Sequence, residues 1–375
     1  MLYPAELRGR HGASIQGFSA GAQAALRGVE VNLHDGLLTL DTHIDIPWPP
    51  TPETDPFLAS SRQVEFGKMQ AGGLRAGCFA AYVPQGPRTA EGYTVARDRA
   101  LAMLDVINGY GRTQDGVTAR VCATADAVEA AVRDGAIAVL PCVENGHAIG
   151  EDLGVLARFR ALGCVYMTLT HNGHNALADS SNPRRDLQDE PHLHGGLSAL
   201  GRDAVAEMNR LGLLVDVSHV SKQGVLQAAM LSRTPVIATH SCVKALCDVP
   251  RNVDDQVLDA LRDCGGMISV TAVSFFVKAG ARVDGVTVSD FVDHIDYVVN
   301  RIGLAHCGIG ADFEGGGGVT GWRSAADSPA VTAELVRRGY GPAQLAQLWG
   351  GNFLRLMRQA ETVAAGGLLP VPAAL

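Results

Sequence analysis

The chain has 375 residues, 47 % of them hydrophobic and 19 % charged, with a formal net charge of −8. That length and composition exclude a disordered chain, and suit one large domain or a barrel with insertions better than several small domains. A mildly acidic balance without a Lys/Arg run gives no electrostatic footprint for nucleic acid or an anionic membrane, so neither is expected as a partner.

Residues 1–35 precede the first predicted strand and read as an extension, and 36–375 read as one domain. The first predicted strand is 37–43 (LLTLDTH), followed by a connection, 44–63, that carries five prolines. Strand 74–82, helix 94–109, strand 136–143, helix 151–162 and strand 164–170 come next. A long polar, turn-rich segment, 173–197, then separates strand 164–170 from helix 199–211. Beyond it lie strand 213–218, helix 222–232, strand 235–239, helix 254–264, strand 266–271, helix 288–303, strand 307–312 and helix 343–358. The strands are almost continuously apolar, as parallel strands covered on both faces are. Eight of them alternating with helices predict a (β/α)₈ TIM barrel, with a large doubly wound sheet as the other arrangement of the same pattern. The segment 173–197 leaves a strand end on the face where barrel active sites form, and its length predicts a cover over the mouth.

The eight cysteines form no CxxC pair, and several sit in apolar runs, such as Cys142 in AVLPCVE and Cys164 in GCVYMTL. They read as packed, reduced thiols rather than disulfides or a thiolate metal site. The stretch MLYPAELRGRHGASIQGFSAG shows no apolar core of signal-peptide length, and GGLLPVPAAL is short for an anchor, so a cytoplasmic location is expected.

Metal-capable side chains recur at the C-terminal ends of successive predicted strands. The first ends in His43 and Asp45, the third in Glu144, the fourth in His171, the fifth in His219, the sixth in His240 and the eighth in Asp312. In a parallel barrel these ends converge on one face. His43 and Asp45 are two apart and so point the same way from an extended backbone, which makes them a plausible ligand pair; Asp41 shares that face and is the alternative to Asp45. Imidazoles and carboxylates suit zinc. His219 and His240 end consecutive strands and can share a second ion, with Glu144 bridging the two. Two close ions lower the pKa of a shared water. Asp312 would then serve as a base or proton shuttle beside it.

The ordered set DTHIDIP (41–47), VENGHAI (143–149), TLTHNGHNALADSS (168–181), LVDVSHVS (214–221), VIATHS (236–241), RNVDD (251–255) and GIGADFEG (308–315) resembles the membrane (renal) dipeptidase family, peptidase family M19 of the amidohydrolase superfamily. The resemblance implies two zinc ions per chain, with His43 and Asp45 on the first, Glu144 on both, and His219 and His240 on the second. It implies that His171 contacts the substrate carbonyl, that Arg251 clamps the substrate's terminal carboxylate, and that Asp312 manages protons at the nucleophile and leaving amine. A small dipeptide-like substrate follows, and a homo-oligomer is compatible with it. The chain departs from the family pattern at Thr42, Gly173, Asp254 and Glu314, none of them an implied ligand. The remaining histidines read more simply: His192 and His194 as solvated, and His147 and His174 as structural or supporting. His11, His34, His294 and His306 have no partner pattern. No P-loop, dinucleotide fingerprint, GxSxG elbow or HExxH motif is present. Two other functions compete with dipeptide hydrolysis. One is hydrolysis of another small amide, a lactam or a peptide conjugate; the other is a metal-binding barrel kept for a structural role.

Overall fold

The computed structural model describes residues 33–369 apart from Arg282. Nearly all of the 1–35 extension, and the chain after residue 369, lie outside the described residues. The described residues form ten strands: β1 (Leu40–Asp45), β2 (Ala76–Tyr82), β3 (Thr113–Gln114), β4 (Val117–Val121), β5 (Ile137–Glu144), β6 (Tyr166–Thr168), β7 (Leu214–Asp216), β8 (Ile237–Ser241), β9 (Met267–Val270) and β10 (Cys307–Ile309). Eight form a parallel path in the order β1-β2-β5-β6-β7-β8-β9-β10. The path closes where Ile44 bridges Phe313 in parallel register. There Asp312 N donates to His43 O at 3.1 Å, and Asp45 N donates to Phe313 O at 3.0 Å. The expected (β/α)₈ barrel is the fold.

The period of two along a strand explains how the barrel is filled. On β5, Ile137, Val139 and Val143 face the helices and join the larger apolar cluster. Ala138, Leu140 and Cys142 face inward and pack with Tyr166, Leu214, Ile237 and Met267 in a second cluster. Glu144 continues the inward row and emerges where the plug ends. Oxygen-bearing residues start the returning helices: the side chains of Thr89, Thr124, Ser198, Ser221, Asp254 and Thr287 each accept from a backbone N–H of the first turn. Asp254, one of the departures from the family pattern, thus caps Asp255–Asp263.

The predicted strand 307–312 is shorter in the structure, because the chain leaves the ladder before Asp312, whose φ is +61°. The hairpin β3–β4, absent from the sequence reading, adds to the β5 edge through Ala119–Ile137 pairing. Its signal is Asp115-Gly116, both at positive φ, the two-residue turn that matches strand twist.

Candidate active site

All the side chains singled out at strand ends meet above the barrel plug. His43 Nε2 lies 3.6 Å from Glu144 Oε2 and 3.7 Å from Asp45 Oδ1. Glu144 Oε1 lies 3.1 Å from His219 Nε2, 3.4 Å from His240 Nε2 and 4.0 Å from His171 Nε2. His219 Nε2 and His240 Nε2 are 2.9 Å apart. Three overlapping groups of ligand atoms result: His43, Glu144 and His240; Glu144, His171 and His219; His43, Asp45 and Asp312. Two atoms each about 2.1 Å from one tetrahedral zinc stand roughly 3.4 Å apart. The observed separations therefore suit a shared ion. Among the described residues, His43 Nε2 and Asp45 Oδ1 are buried without a hydrogen-bond partner, which a metal would satisfy. The donor set fits a divalent metal.

Asp41, the alternative to Asp45, has one oxygen committed elsewhere. Its Oδ1 accepts from His43 N and Ala311 N, and it belongs to none of the three groups. Thr42 also has a structural task, donating to the carbonyls of Thr239 and Ile309 across the closure. Glu314 takes the backbone N–H of Val64, tying the proline-rich connection to the β10 end. Gly315 is required by close approach: a Cβ there would stand 2.3 Å from Asp312 Oδ1 and 2.5 Å from Asp45 Oδ2. Left-handed backbone gathers at this face, with His219 at φ +67°, Asp312 at +61°, Glu314 at +67° and Asn145 at +86°. Such conformations cost free energy and persist where surroundings hold them, as at active sites.

Burial and mutual charge set the protonation pattern. Burial would lower His43, but Glu144 and Asp45 hold it well above the usual histidine range. Burial pushes Glu144 up, and the surrounding His43, His171, His219 and His240 reverse this and hold it well below the usual carboxylate range. Burial, with Arg251 and His171 nearby, lowers His219 strongly, and burial beside His43 does the same for His240. Burial brings His171 down to about 4. Asp45 is pushed up to about 6 by burial and by Glu144. Asp312 rises well above its usual value through burial and the nearby Asp45 and Glu144.

Arg251 is 4 % exposed and does not pair with Asp254 or Asp255. Those acids engage Lys222 and Arg301 instead. The guanidinium donates to Ser241 Oγ at 3.1 Å and to His240 O at 3.0 Å, and it lies over the Phe276 ring. Its Nε is buried without a partner. On the other side of the opening, the segment after β6 lines a cavity of about 350 Å³ through Asn172, Asn182, Pro183 and Arg184, together with Tyr82 and His171. Tyr82, which the sequence reading did not single out, sits edge-on to His171 at 4.7 Å. Its place at the end of β2 was the available signal.

The other histidines are placed by hydrogen bonds away from the centre. His34 bonds to Thr332 and Gly72 O, His294 to Val243 N and Val277 O, and His306 to Gly266 O. His174 takes the Ser180 N–H, and His147 meets Gln85. His192 is exposed, whereas His194 is half-buried and donates to Asn175 O. His11 lies outside the described residues.

An eight-stranded parallel barrel whose strand ends gather imidazoles and carboxylates defines a metal-dependent barrel of the amidohydrolase type. The chain belongs to the membrane dipeptidase family, peptidase family M19, whose family model matches residues 29–368. It is 39 % identical over 250 residues to dipeptidase tcpJ of Claviceps purpurea, covering 66 % of this chain and 57 % of that protein. The match thus spans little more than half of that relative. Among solved structures, the probable dipeptidase PvdM of Pseudomonas aeruginosa superposes with a TM-score of 0.86 at 27 % identity, covering 91 % of this chain and all of that one. A metallo peptidase of Rhodobacter sphaeroides, liganded with a phosphinate mimic of the dipeptide L-Ala-D-Ala, gives a TM-score of 0.75 at 25 % identity, covering 86 % and 99 %. Among the described residues, no helix is long and apolar enough to cross a membrane.

Proposed function

We propose that this chain is a dipeptidase using two zinc ions, held by His43, Asp45, Glu144, His219 and His240. The observation that carries the reading is the buried convergence of these donor atoms beside a guanidinium whose Nε has no partner. When bound, a pair of divalent ions supplies Lewis acidity and an activated water. Arg251 holds the free carboxylate of the substrate, because its planar fork matches a carboxylate and its buried Nε–H has no partner. His171, neutral near pH 7, donates a hydrogen bond to the scissile carbonyl as charge develops on its oxygen. Asp312, next to Asp45, takes up a proton and passes it to the departing amine. The wall formed by Tyr82, Asn172, Asn182 and Arg184 receives the rest of a short substrate. The cysteines stand free, seven of eight buried, which supports a reducing, cytoplasmic setting. The domain we assign is 36–375, with 1–35 as an extension; the family match runs over 29–368.

The test is a dipeptide panel with protein saturated in zinc, combined with elemental analysis. We expect release of two free amino acids and about two equivalents of metal per chain. Full activity with one equivalent at saturating metal would remove the binuclear reading. Turnover of other amides with no dipeptide hydrolysis would remove the substrate assignment.

A further inference from the structure

Two of the ligand histidines rest on hydroxyl groups that each have one proton to give. Tyr166, inside the barrel, has its hydroxyl 2.9 Å from Thr42 O and 2.9 Å from His43 Nδ1. A carbonyl oxygen only accepts, so the tyrosine proton goes to Thr42. His43 must then be the donor in the second bond, with its proton on Nδ1. That leaves Nε2, which lies between Glu144 and Asp45 without a partner, as the nitrogen turned to the metal centre.

The second case is built from different residues with the same arithmetic. Thr239 Oγ1 lies 2.7 Å from Asp216 Oδ2 and 2.9 Å from His240 Nδ1. Asp216 is fully buried, and four donors converge on it: Thr168 Oγ1 at 2.5 Å, Ser218 N at 2.9 Å, Thr239 N at 3.0 Å and Thr239 Oγ1. Asp216 is therefore the accepting end, and the Thr239 proton is spent on it. His240 then donates from Nδ1, and its Nε2 lone pair faces Glu144. His219 has no such support: its Nδ1 is buried without a partner.

We propose that Tyr166 and the Asp216–Thr239 pair are positioning residues that hold the Nδ1–H of His43 and His240, so that Nε2 of each ring is the nitrogen turned to the metal centre. An imidazole must offer an unprotonated nitrogen to bind, and a fixed tautomer removes the cost of reorganising it. Asp216 and Tyr166 touch neither substrate nor metal in this scheme and act only through the histidines. The inference rests on the metal-site reading above but not on the substrate.

The test uses Thr239→Val, Thr239→Ser and Tyr166→Phe in the full chain. Zinc affinity is measured by competition with a chelator, and ring-nitrogen tautomers are read in the metal-free protein by ¹⁵N-histidine NMR. We expect Thr239→Val and Tyr166→Phe to weaken zinc about ten- to a hundredfold. His240 should lose its single-tautomer signature in Thr239→Val, and the His43 Nδ1–H its hydrogen-bonded shift in Tyr166→Phe. Thr239→Ser, which keeps the hydroxyl, should keep both the native zinc affinity and the native His240 tautomer. Thermal unfolding of the metal-free variants reports packing separately. Unchanged affinity and tautomer in Thr239→Val, or equal losses in Thr239→Ser and Thr239→Val, would overturn the proposal. A variant set that behaves as expected in a protein that cleaves no dipeptide would sink the substrate reading alone.

Discussion

The floor of the site and the segment that walls it are built by opposite means. On the floor, His43, Glu144, His219 and His240 project from the ends of hydrogen-bonded strands and are buried. Their positions follow from barrel topology, and the chemistry is spread over many distant parts of the sequence. The wall, residues 172–197, has little regular structure and is held by two carboxylates. Asp179 accepts from the backbone N–H groups of Leu193, His194 and Gly196, at 2.9–3.0 Å. Asp189 accepts from His174 N and Arg184 N and pairs with Arg88. Each carboxylate does locally what a ladder does for a strand, satisfying backbone donors that would otherwise be orphaned. On the proposed reading the difference separates the tasks: the floor sets what reaction is available, and the wall sets what can reach it.

The comparison is tested hardest on the floor. His219→Ala and His240→Ala each delete a donor atom beside Glu144. Loss of a supporting residue around a metal already costs about ten- to a hundredfold, so loss of a ligand should lower kcat by more than about a hundredfold. Metal content should fall with it, and chelation of the native protein should reproduce the loss. Either variant retaining native metal stoichiometry and rate would mean that the floor is not the metal centre.

The same contrast decides what was legible in the sequence. A side chain at the end of an apolar run is easy to place, because parallel strands bring all such ends to one face; His43, Glu144, His171, His219 and His240 met as that rule requires. The preference for Asp45 over Asp41 could not come from strand period, since both share a face. In the fold one Asp41 oxygen accepts the His43 and Ala311 N–H groups at the closure, which favours Asp45 as the ligand. The hydroxyl supports escaped for a related reason: Tyr166 and Thr239 read as ordinary strand residues, and only the three-dimensional register puts them against His43 and His240. Arg251 drew its role from resemblance, as a loop arginine near two aspartates looks like a surface ion pair; burial and the absence of those pairs appear only in the fold. Tyr82, at the end of β2, had a signal that went unread; Arg184 was illegible as a site residue, because the wall is shaped by Asp179 and Asp189, whose partners are mostly backbone groups that no side-chain pattern reveals.

A smaller effect is expected at the edge of the floor. Arg251→Lys keeps the charge and loses the planar two-point contact. A charge-assisted hydrogen bond of this kind contributes roughly 1.5–3 kcal/mol, so kcat/KM for a dipeptide should fall about ten- to a hundredfold. A C-terminally amidated dipeptide should be poor with the native protein and lose little more in the variant. Equal, additive losses in that double cycle would show that Arg251 does not touch the carboxylate.

The smallest effects belong to the wall, and they test whether wall and floor are separable. Asp179→Asn turns one accepting oxygen into a donor facing backbone N–H groups. Leaving a buried donor unpaired costs about 1–3 kcal/mol, which is small against the barrel but large for one segment. We expect faster proteolysis within 172–197 and a severalfold rise in KM, with metal content unchanged. Acid should imitate the substitution. Burial raises the Asp179 carboxyl, but the Gly196, His194 and Leu193 N–H groups, with His174, hold it below its ordinary value. A folded pKa below the unfolded one gives stability that is complete above about pH 4 and lost as pH falls through the folded value. The native segment should therefore resist protease at pH 5 and open only in stronger acid, while Asp179→Asn should be open at both. His192→Ala, on the exposed part of the same segment, should change neither proteolysis nor KM by more than about twofold. If Asp179→Asn also released the metal, the wall would be holding the floor in place, and the division of labour drawn here would fail.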